Sequence, residues 1–400
     1  MQSKIDELFD TFLQQQTIYK EKDALKCTYI PSTIFHRDGE VKQIAQILAP
    51  SLRGEIPNNI LINGSSGVGK TTVVKYVAKS LKAKAQSMKV PFDYIYLNCK
   101  LQKINTQYRL LANIANELGR TVPATGLPTD AIYKIVYELI NTRPTTLVVI
   151  LDEIDAMSES SDGLYCLYRI NDELANGSKV CVIGISNDIN FIEKIDTRAK
   201  SSSSREDVIF PSYNAMQLKS ILEQRASIAF QEGVMEPGVI ERCAALAAQE
   251  SGDVRRALDL LRVAGELAER KGFKKVSESQ VTEAEERIEA DKVAEQVKDQ
   301  PRQSQAVIWS VIKLSETSPK GLATGDVFDY YSDVCKKINM KPLTQRRVSD
   351  LIAELDILGI ITAKVISKGR YGRTRKISLA ISQQMIPKVT NILEQELMVD

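Results

Sequence analysis

The chain has 400 residues, too many for one hydrophobic core and suited to two or three domains. Hydrophobic residues at 43% and charged residues at 26% describe an ordinary globular chain, which excludes a disordered or membrane-embedded one. The net charge of +2 is close to neutral, so a surface for a polyanion has to be sought locally.

Six cysteines, at 27, 99, 166, 181, 243 and 335, form no CxxC pair, which argues against a zinc site or a disulfide framework. Reduced core thiols in a cytoplasmic protein are the expectation. The single histidine, His36, argues against His-based metal sites and Ser/His/Asp triads. "MQSKIDELFDTF" carries acids within its apolar pattern, unlike a signal peptide, and no run of about 18 apolar residues follows, so no membrane is expected as a partner.

Residues 4 to 20 place Ile5, Leu8, Phe9, Phe12 and Leu13 at helical spacing. They predict an N-terminal arm over 1–28 that packs on its own domain or offers a helix to a partner. From 58 to 213 apolar runs alternate with helical stretches. "NNILING", "FDYIYLN", "TTLVVILDE", "KVCVIGISN" and "EDVIFPSY" read as buried strands. This predicts an α/β base over 29–213, a parallel sheet with helices on both faces.

The first strand runs into Gly64, Ser65, Ser66, Gly67, Val68, Gly69, Lys70, Thr71 and Thr72, which fits G-x-x-x-x-G-K-[ST] with a strand before it and a helix after. Glycines let backbone N–H groups converge on phosphate oxygens at a helix N-terminus, where the dipole also favours anions. Lys70 should reach the β- and γ-phosphates of ATP, and the Thr71 hydroxyl should hold Mg²⁺. "LVVILDEID" sets Asp152 and Glu153 at the end of a buried strand, where two carboxylates are costly without a cation. Asp152 would orient Mg²⁺ through water, and Glu153 would polarise the attacking water. Asp155 reads equally well as a helix cap. In "GISNDINF", Asn187 ends the next strand and could hold the lytic water, against the plainer reading of a strand-end turn.

After Tyr213 the strands stop, and three helical stretches predict an all-helical lid that runs with its linker over 214–300. "SGDVRRALDLL" sets Arg255 in the first turn of a helix, where its charge opposes the dipole and is better explained by an anion. Arg256 faces elsewhere. The charged stretch "EAEERIEADKVAEQVKDQPRQ" then leads to a third unit over 301–400, in which three helices and a hairpin predict a winged helix.

Between 343 and 376 stand eight basic residues (Arg346, Arg347, Lys364, Lys368, Arg370, Arg373, Arg375, Lys376) against three acids (Asp350, Glu354, Asp356). A solvated face is the ordinary explanation of such a run. Here Thr344, Gln345, Arg346 and Arg347 begin a helix whose other face is core, the end that meets DNA in helix-turn-helix docking. The tip "KGRYGR" gathers Lys368, Gly369, Arg370, Tyr371, Gly372 and Arg373, cations that repel one another without an anionic partner. The loop "GRTVPATGLPTD", with Arg120, Pro123, Gly126 and Leu127, reads as an ordinary helix connection or as a low-charge wedge for a minor groove.

The phosphate loop, "LDEID", Asn187 and the "GDVR" helix together resemble the AAA+ ATPases over roughly residues 30 to 290. "FHRDGEV", "YRLLANIANELG" with "TGLPTD", "SND" followed by "IDTRAKSS", and the "GRYGRTRKI" wing make the chain similar, over nearly its whole length, to the archaeal origin-recognition initiators. These are relatives of the largest origin recognition subunit and of the cell-division-cycle helicase loader. The resemblance implies sequence-specific binding to double-stranded origin DNA, ATP and ADP as a switch, and the replicative minichromosome-maintenance helicase as partner, with other initiator protomers on adjacent sites. It implies that an insertion over about 100–128 is a second DNA element and that His36 and Arg37 belong to the nucleotide site. Arg198 falls where related ATPases carry the arginine that reaches a neighbour's γ-phosphate. Thr197 and Ala199 flank it in place of the family's usual Pro and Val, and an intramolecular ion pair stays open. A winged-helix transcription regulator or a signalling ATPase would share the site and the DNA domain.

Overall fold

A computed structural model describes residues 17–29, 31, 33–123, 125–142, 144–157, 161–188, 191, 204–317, 321–367 and 373–398, without the side chains of 161, 367, 373 and 374. The chain divides into two compact units, Met1–Val281 and Thr282–Asp400.

In the first unit, α1 (Asp38–Leu48) leads into a sheet whose strands alternate with helices: β1 (Asn59–Gly64), α2 (Lys70–Ser87), β2 (Phe92–Asn98), α3 (Gln107–Glu117), α4 (Thr129–Asn141), β3 (Thr146–Asp152), α5 (Ser161–Glu173), β4 (Lys179–Ser186) and β5 (Arg205–Phe210). The five strands are parallel in the order β2-β3-β4-β1-β5. The apolar run "TLVVILD" does not alternate because every residue of β3 is buried. Val149 and Leu151 pack with Leu97 and Ile154 on one face, Val148 and Ile150 with Ile62 and Ile183 on the other. Register sets Asn98 opposite Asp152 and Asn63 opposite Ser186. The ends of β1, β3 and β4 therefore meet at one edge of the sheet, the carboxyl edge, where open α/β sheets bind ligands.

Three lid helices follow, α6 (Ala215–Ala229), α7 (Val239–Glu250) and α8 (Val254–Arg270). A reciprocal capping box between Asn214 and Gln217 starts α6, and the Asp253 carboxylate caps α8 by accepting the Arg255 N–H at 2.7 Å. Residues 17–20, expected to continue a helix, lie extended against the lid instead. Tyr19 bridges to Phe230, stacks on its ring at 4.7 Å and donates its hydroxyl to the Arg262 carbonyl. The rest of the expected arm helix, residues 4–16, lies outside the described residues.

The division between the units falls inside α9 (Glu278–Lys298), where the sequence reading ran the lid and linker on to 300. In the second unit, α10 (Arg302–Thr317), β6 (Leu322–Ala323), α11 (Thr324–Lys337), α12 (Gln345–Ile357), β7 (Ile361–Ser367) and β8 (Arg373–Leu379) form a winged helix, and α13 (Ile386–Leu397) closes the chain. The winged-helix expectation holds, with two additions. The short β6 pairs with β8 opposite β7, and α13 buries Val389, Leu393 and Leu397 in the same core as Trp309, Tyr331 and Ile352. Among the described residues no helix is long and apolar enough to cross a membrane.

Candidate nucleotide site and nucleic-acid interface

The turn between β1 and α2 holds residues 65–69, and α2 begins at Lys70, so the first free N–H groups of an 18-residue helix face the turn. Lys70 is only 6% exposed, and its ammonium donates to the carbonyls of Gly64 and Ser65, both at 2.7 Å, and to Asn187 Oδ1 at 2.8 Å. Burial pushes its pKa down to about 8, against the attraction of Asp152. Thr71 Oγ1 donates to Asp152 Oδ2 at 2.7 Å. Glu153 follows with φ of 53°, a left-handed conformation that is costly for a residue with a Cβ and that occurs at functional sites. Asp155, read as a possible helix cap, instead accepts from Ser186 Oγ and from the Asn187 N–H, both at 3.1 Å, and so fixes the turn that carries Asn187.

A cavity of about 560 Å³ opens over this edge. It gathers residues 66–72 of the cradle with Asp152, Glu153, Asn187 and Arg255. Gly64 and Ser65 stand behind it with their carbonyls on Lys70. The lid descends directly onto the cradle. The Val254 N–H donates to the Gly67 carbonyl at 3.3 Å, and a Cβ on Gly67 would fall 1.6 Å from Asp253 Oδ1. Gly252 has φ of 70°, and a Cβ there would meet the Tyr213 carbonyl at 2.5 Å, so this approach requires glycine twice. Arg255 Nη1 reaches Ser66 Oγ at 3.4 Å, whereas Arg256 pairs with Glu250 at 2.9 Å.

Two residues expected at the nucleotide site have their side chains paired elsewhere in the structure. Arg37, 2% exposed, donates to Glu40 and to the Pro211 carbonyl, both at 2.6 Å, with its guanidinium 3.9 Å from the Tyr213 ring centroid. It is a brace beneath the hinge between base and lid. His36 turns to the Ser220 hydroxyl on α6. Neither lines the cavity.

Sequence reasoning missed the wall opposite the cradle. Residues 27–29, 31 and 33–35 run along it, including Tyr29, Ile34 and Phe35, and the lid adds Ile221, Gln224, Arg225 and Leu258. These residues belong to no helix or strand and carry no periodicity by which they could have been found. Arg225 did leave a signal: it shares a helical face with Leu218, Leu222 and Ala229, which are buried. Its buried guanidinium donates to the carbonyls of Ala24 at 3.3 Å and Tyr29 at 3.1 Å, fastening that segment to the lid. Lys75, Tyr96 and Asn98 complete the cavity beside Asp152.

The donor set fits magnesium. Among the described residues no three His, Cys, Asp or Glu side chains could enclose a metal. Thr71 and Asp152 instead offer hard oxygens beside a phosphate cradle, and magnesium is commonly held by one or two protein oxygens and phosphate oxygens.

Of the segment 100–128, α3 is core, with Leu110, Leu111 and Ile114 fully buried. In the loop after it residues 119–121, 123 and 125–128 are exposed, whereas Val122 is buried. Arg120 stands 3.8 Å from Glu138, the Pro123 carbonyl accepts from Tyr108, and Leu127, beside Gly126, is 40% exposed. In the second unit Thr344 caps α12 through the Arg347 N–H, and Gln345, Arg346 and Arg347 are exposed. Gln345, Arg346 and Ser349 face a concavity shared with Val365 and Arg375 of the wing strands. Arg375 donates to the Ser349 carbonyl at 2.7 Å, a contact that the run of charge did not disclose. Arg373 starts β8. Lys368, Gly369, Arg370, Tyr371 and Gly372 at the wing tip, and Arg198 in the base, lie outside the described residues.

Family models for an AAA domain match residues 56–187, for the Cdc6 AAA+ ATPase-type lid domain 219–286, and for the CDC6 C-terminal winged helix domain 295–389. An ORC1-type DNA replication protein of Pyrococcus furiosus is 48% identical over 401 residues, covering 99% of this chain and 94% of that protein. ORC1-type DNA replication protein 1 of Archaeoglobus fulgidus is 46% identical over 382 residues, covering 95% and 92%. Among solved structures, the Aeropyrum pernix ORC1 protein in complex with DNA aligns with a TM-score of 0.78 at 39% identity, covering 96% of this chain and 98% of that one.

Proposed function

The chain belongs to the family of ORC1-type DNA replication proteins, and from that premise we propose that it binds replication origins sequence-specifically and uses ATP binding and hydrolysis as a slow switch for recruiting the replicative helicase. The observation that carries this reading is a lid-roofed phosphate cradle on the same chain as a winged helix whose α12 begins with exposed basic residues. That the Aeropyrum pernix ORC1 protein was solved with DNA supports the same partner here.

At the cradle, Lys70 contacts the β- and γ-phosphates, with the backbone of 65–71 wrapped around them. Thr71 and Asp152 would hold Mg²⁺, which when bound would neutralise phosphate charge. Glu153 polarises the attacking water, Asn187 steadies it, and Arg255 brings the lid to the γ-phosphate. The cavity wall of Tyr29, Pro31, Ile34 and Phe35 with Ile221 and Leu258 is the apolar side that suits a base.

On DNA, Thr344, Gln345, Arg346 and Arg347 meet the major groove and its phosphates, with the wing from Lys368 to Arg373 alongside. The loop carrying Arg120, Pro123, Gly126 and Leu127 makes a second contact from the base. The minichromosome-maintenance helicase and further protomers of this chain are the downstream partners. Footprinting on genomic fragments tests the reading. Protection confined to repeats at an origin is expected, and protection of promoters would turn it to a transcription regulator.

A further inference from the structure

Asp152 is 5% exposed and its carboxylate is held from three directions. Oδ1 accepts the Glu153 N–H at 3.0 Å, and Oδ2 accepts both the Thr71 hydroxyl and the Tyr96 hydroxyl, each at 2.7 Å. Tyr96 comes from β2, the strand beside β3, in register with Ile150 and two residues before Asn98, which pairs with Asp152. Its side chain therefore lies on the face that Ile150 buries, and its hydroxyl reaches forward along the sheet to the carboxylate. On the other side Lys75 of α2 sets its ammonium 3.5 Å from the Tyr96 ring centroid.

This placement does more than fill a wall. A carboxylate turns readily about its last torsion, which is broad rather than confined to sharp wells. The Thr71 hydroxyl alone would leave Oδ2 anchored to a side chain that also has to offer its oxygen to a metal. The Tyr96 hydroxyl supplies an anchor that offers the metal nothing and comes from a separate, rigid strand.

We propose that Tyr96 is a positioning residue for magnesium: by fixing Asp152 it presets the oxygen donors that the ion meets when it enters with a nucleotide. The inference rests on the reading of Asp152 and Thr71 as the magnesium side of the nucleotide site. Partners that orient metal-binding side chains typically matter by about 10–100-fold in metal affinity or activity. Tyr96→Phe retains the ring, its packing and the Lys75 contact and removes only the hydroxyl.

The test is a titration of the full chain with fluorescent ADP, first in EDTA and then across a magnesium series, on the wild type, Tyr96→Phe and Asp152→Asn. For Tyr96→Phe the affinity in EDTA should be unchanged, while the magnesium concentration giving half of the magnesium-dependent gain in affinity rises by about tenfold or more. Asp152→Asn should largely abolish that gain. A magnesium series for Tyr96→Phe that overlays the wild type, with Asp152→Asn impaired, overturns the role of Tyr96 and leaves the site reading standing. Equal losses by Tyr96→Phe with and without magnesium also overturn it, because Tyr96 would then act on the nucleotide or the cavity wall. If Asp152→Asn overlays the wild type as well, the magnesium reading itself fails and takes this role with it.

Discussion

In the proposed function Lys70 and Glu153 divide the chemistry of the cradle, one to face phosphate in the ground state and the other to act on water. Lys70→Ala should lose ATP, whereas Glu153→Gln should bind it and stop releasing phosphate; nucleotide binding and phosphate release, measured side by side, check both. Normal turnover by Glu153→Gln would remove the assignment. Arg225 makes a different demand. Its guanidinium, 7% exposed, satisfies the carbonyls of Ala24 and Tyr29, and Arg225→Leu leaves both without that donor. The expected loss is about 1–3 kcal/mol in chemical denaturation, with weaker nucleotide binding as the cavity wall at Tyr29 loosens. These residues differ in how far the sequence disclosed them. The backbone geometry of a phosphate loop fixes the spacing of Gly64, Gly69, Lys70 and Thr71, so a short window suffices. The partners of Arg37, the Pro211 carbonyl and the Tyr213 ring, were not legible because they lie far along the chain. Tyr96 read as one more strand residue, since nothing local says that its hydroxyl meets Asp152.

At the scale of elements, the lid and the recognition helix each depend on how they are seated. The start of α8 rests on Gly67 through Asp253 and Val254, so in the proposed function a nucleotide in the cradle would bear on the lid where Arg255 enters the cavity. Arg255→Ala should lower hydrolysis with the fold intact; unchanged turnover, with ATP and ADP still distinguished by the protein, would make Arg255 merely structural. Helix α12 is held by Val348, Leu351, Ile352 and Leu355, while its first turn is exposed. Ile352→Ala should destabilise the winged helix by about 2–5 kcal/mol and weaken DNA binding, with nucleotide binding retained. Denaturant unfolding followed by Trp309 fluorescence checks it, because that tryptophan lies in the same core. Elements with a strong period or an unbroken apolar run, such as β3 and α12, were legible. The two-residue β6 was not, since its existence depends on β8 beside it. Helix α13 has apolar residues at helical spacing, Ile386, Val389, Leu393 and Leu397, yet the winged helix was already complete without it.

For the molecule as a whole, the central proposal is that one chain grips DNA at two places, the winged helix and the loop carrying Leu127 on the ATPase base. Because these belong to separate compact units, bound DNA would fix the angle between them and so couple DNA to the nucleotide state. The two contacts differ in chemistry. Arg346 is an exposed cation at the start of α12, whereas Leu127 is an exposed apolar side chain whose contribution is fit. The most direct measurement is a salt titration with footprinting of the wild type, Arg346→Ala and Leu127→Ala on one origin fragment. If Arg346 contacts a phosphate, its loss should weaken binding and flatten the slope of log K against log salt by about 0.9. Leu127→Ala should leave the slope nearly unchanged, weaken binding and shorten the footprint on the side of the base. The two-point grip is contradicted if Leu127→Ala changes neither affinity nor footprint, or if deleting residues 301–400 leaves affinity intact.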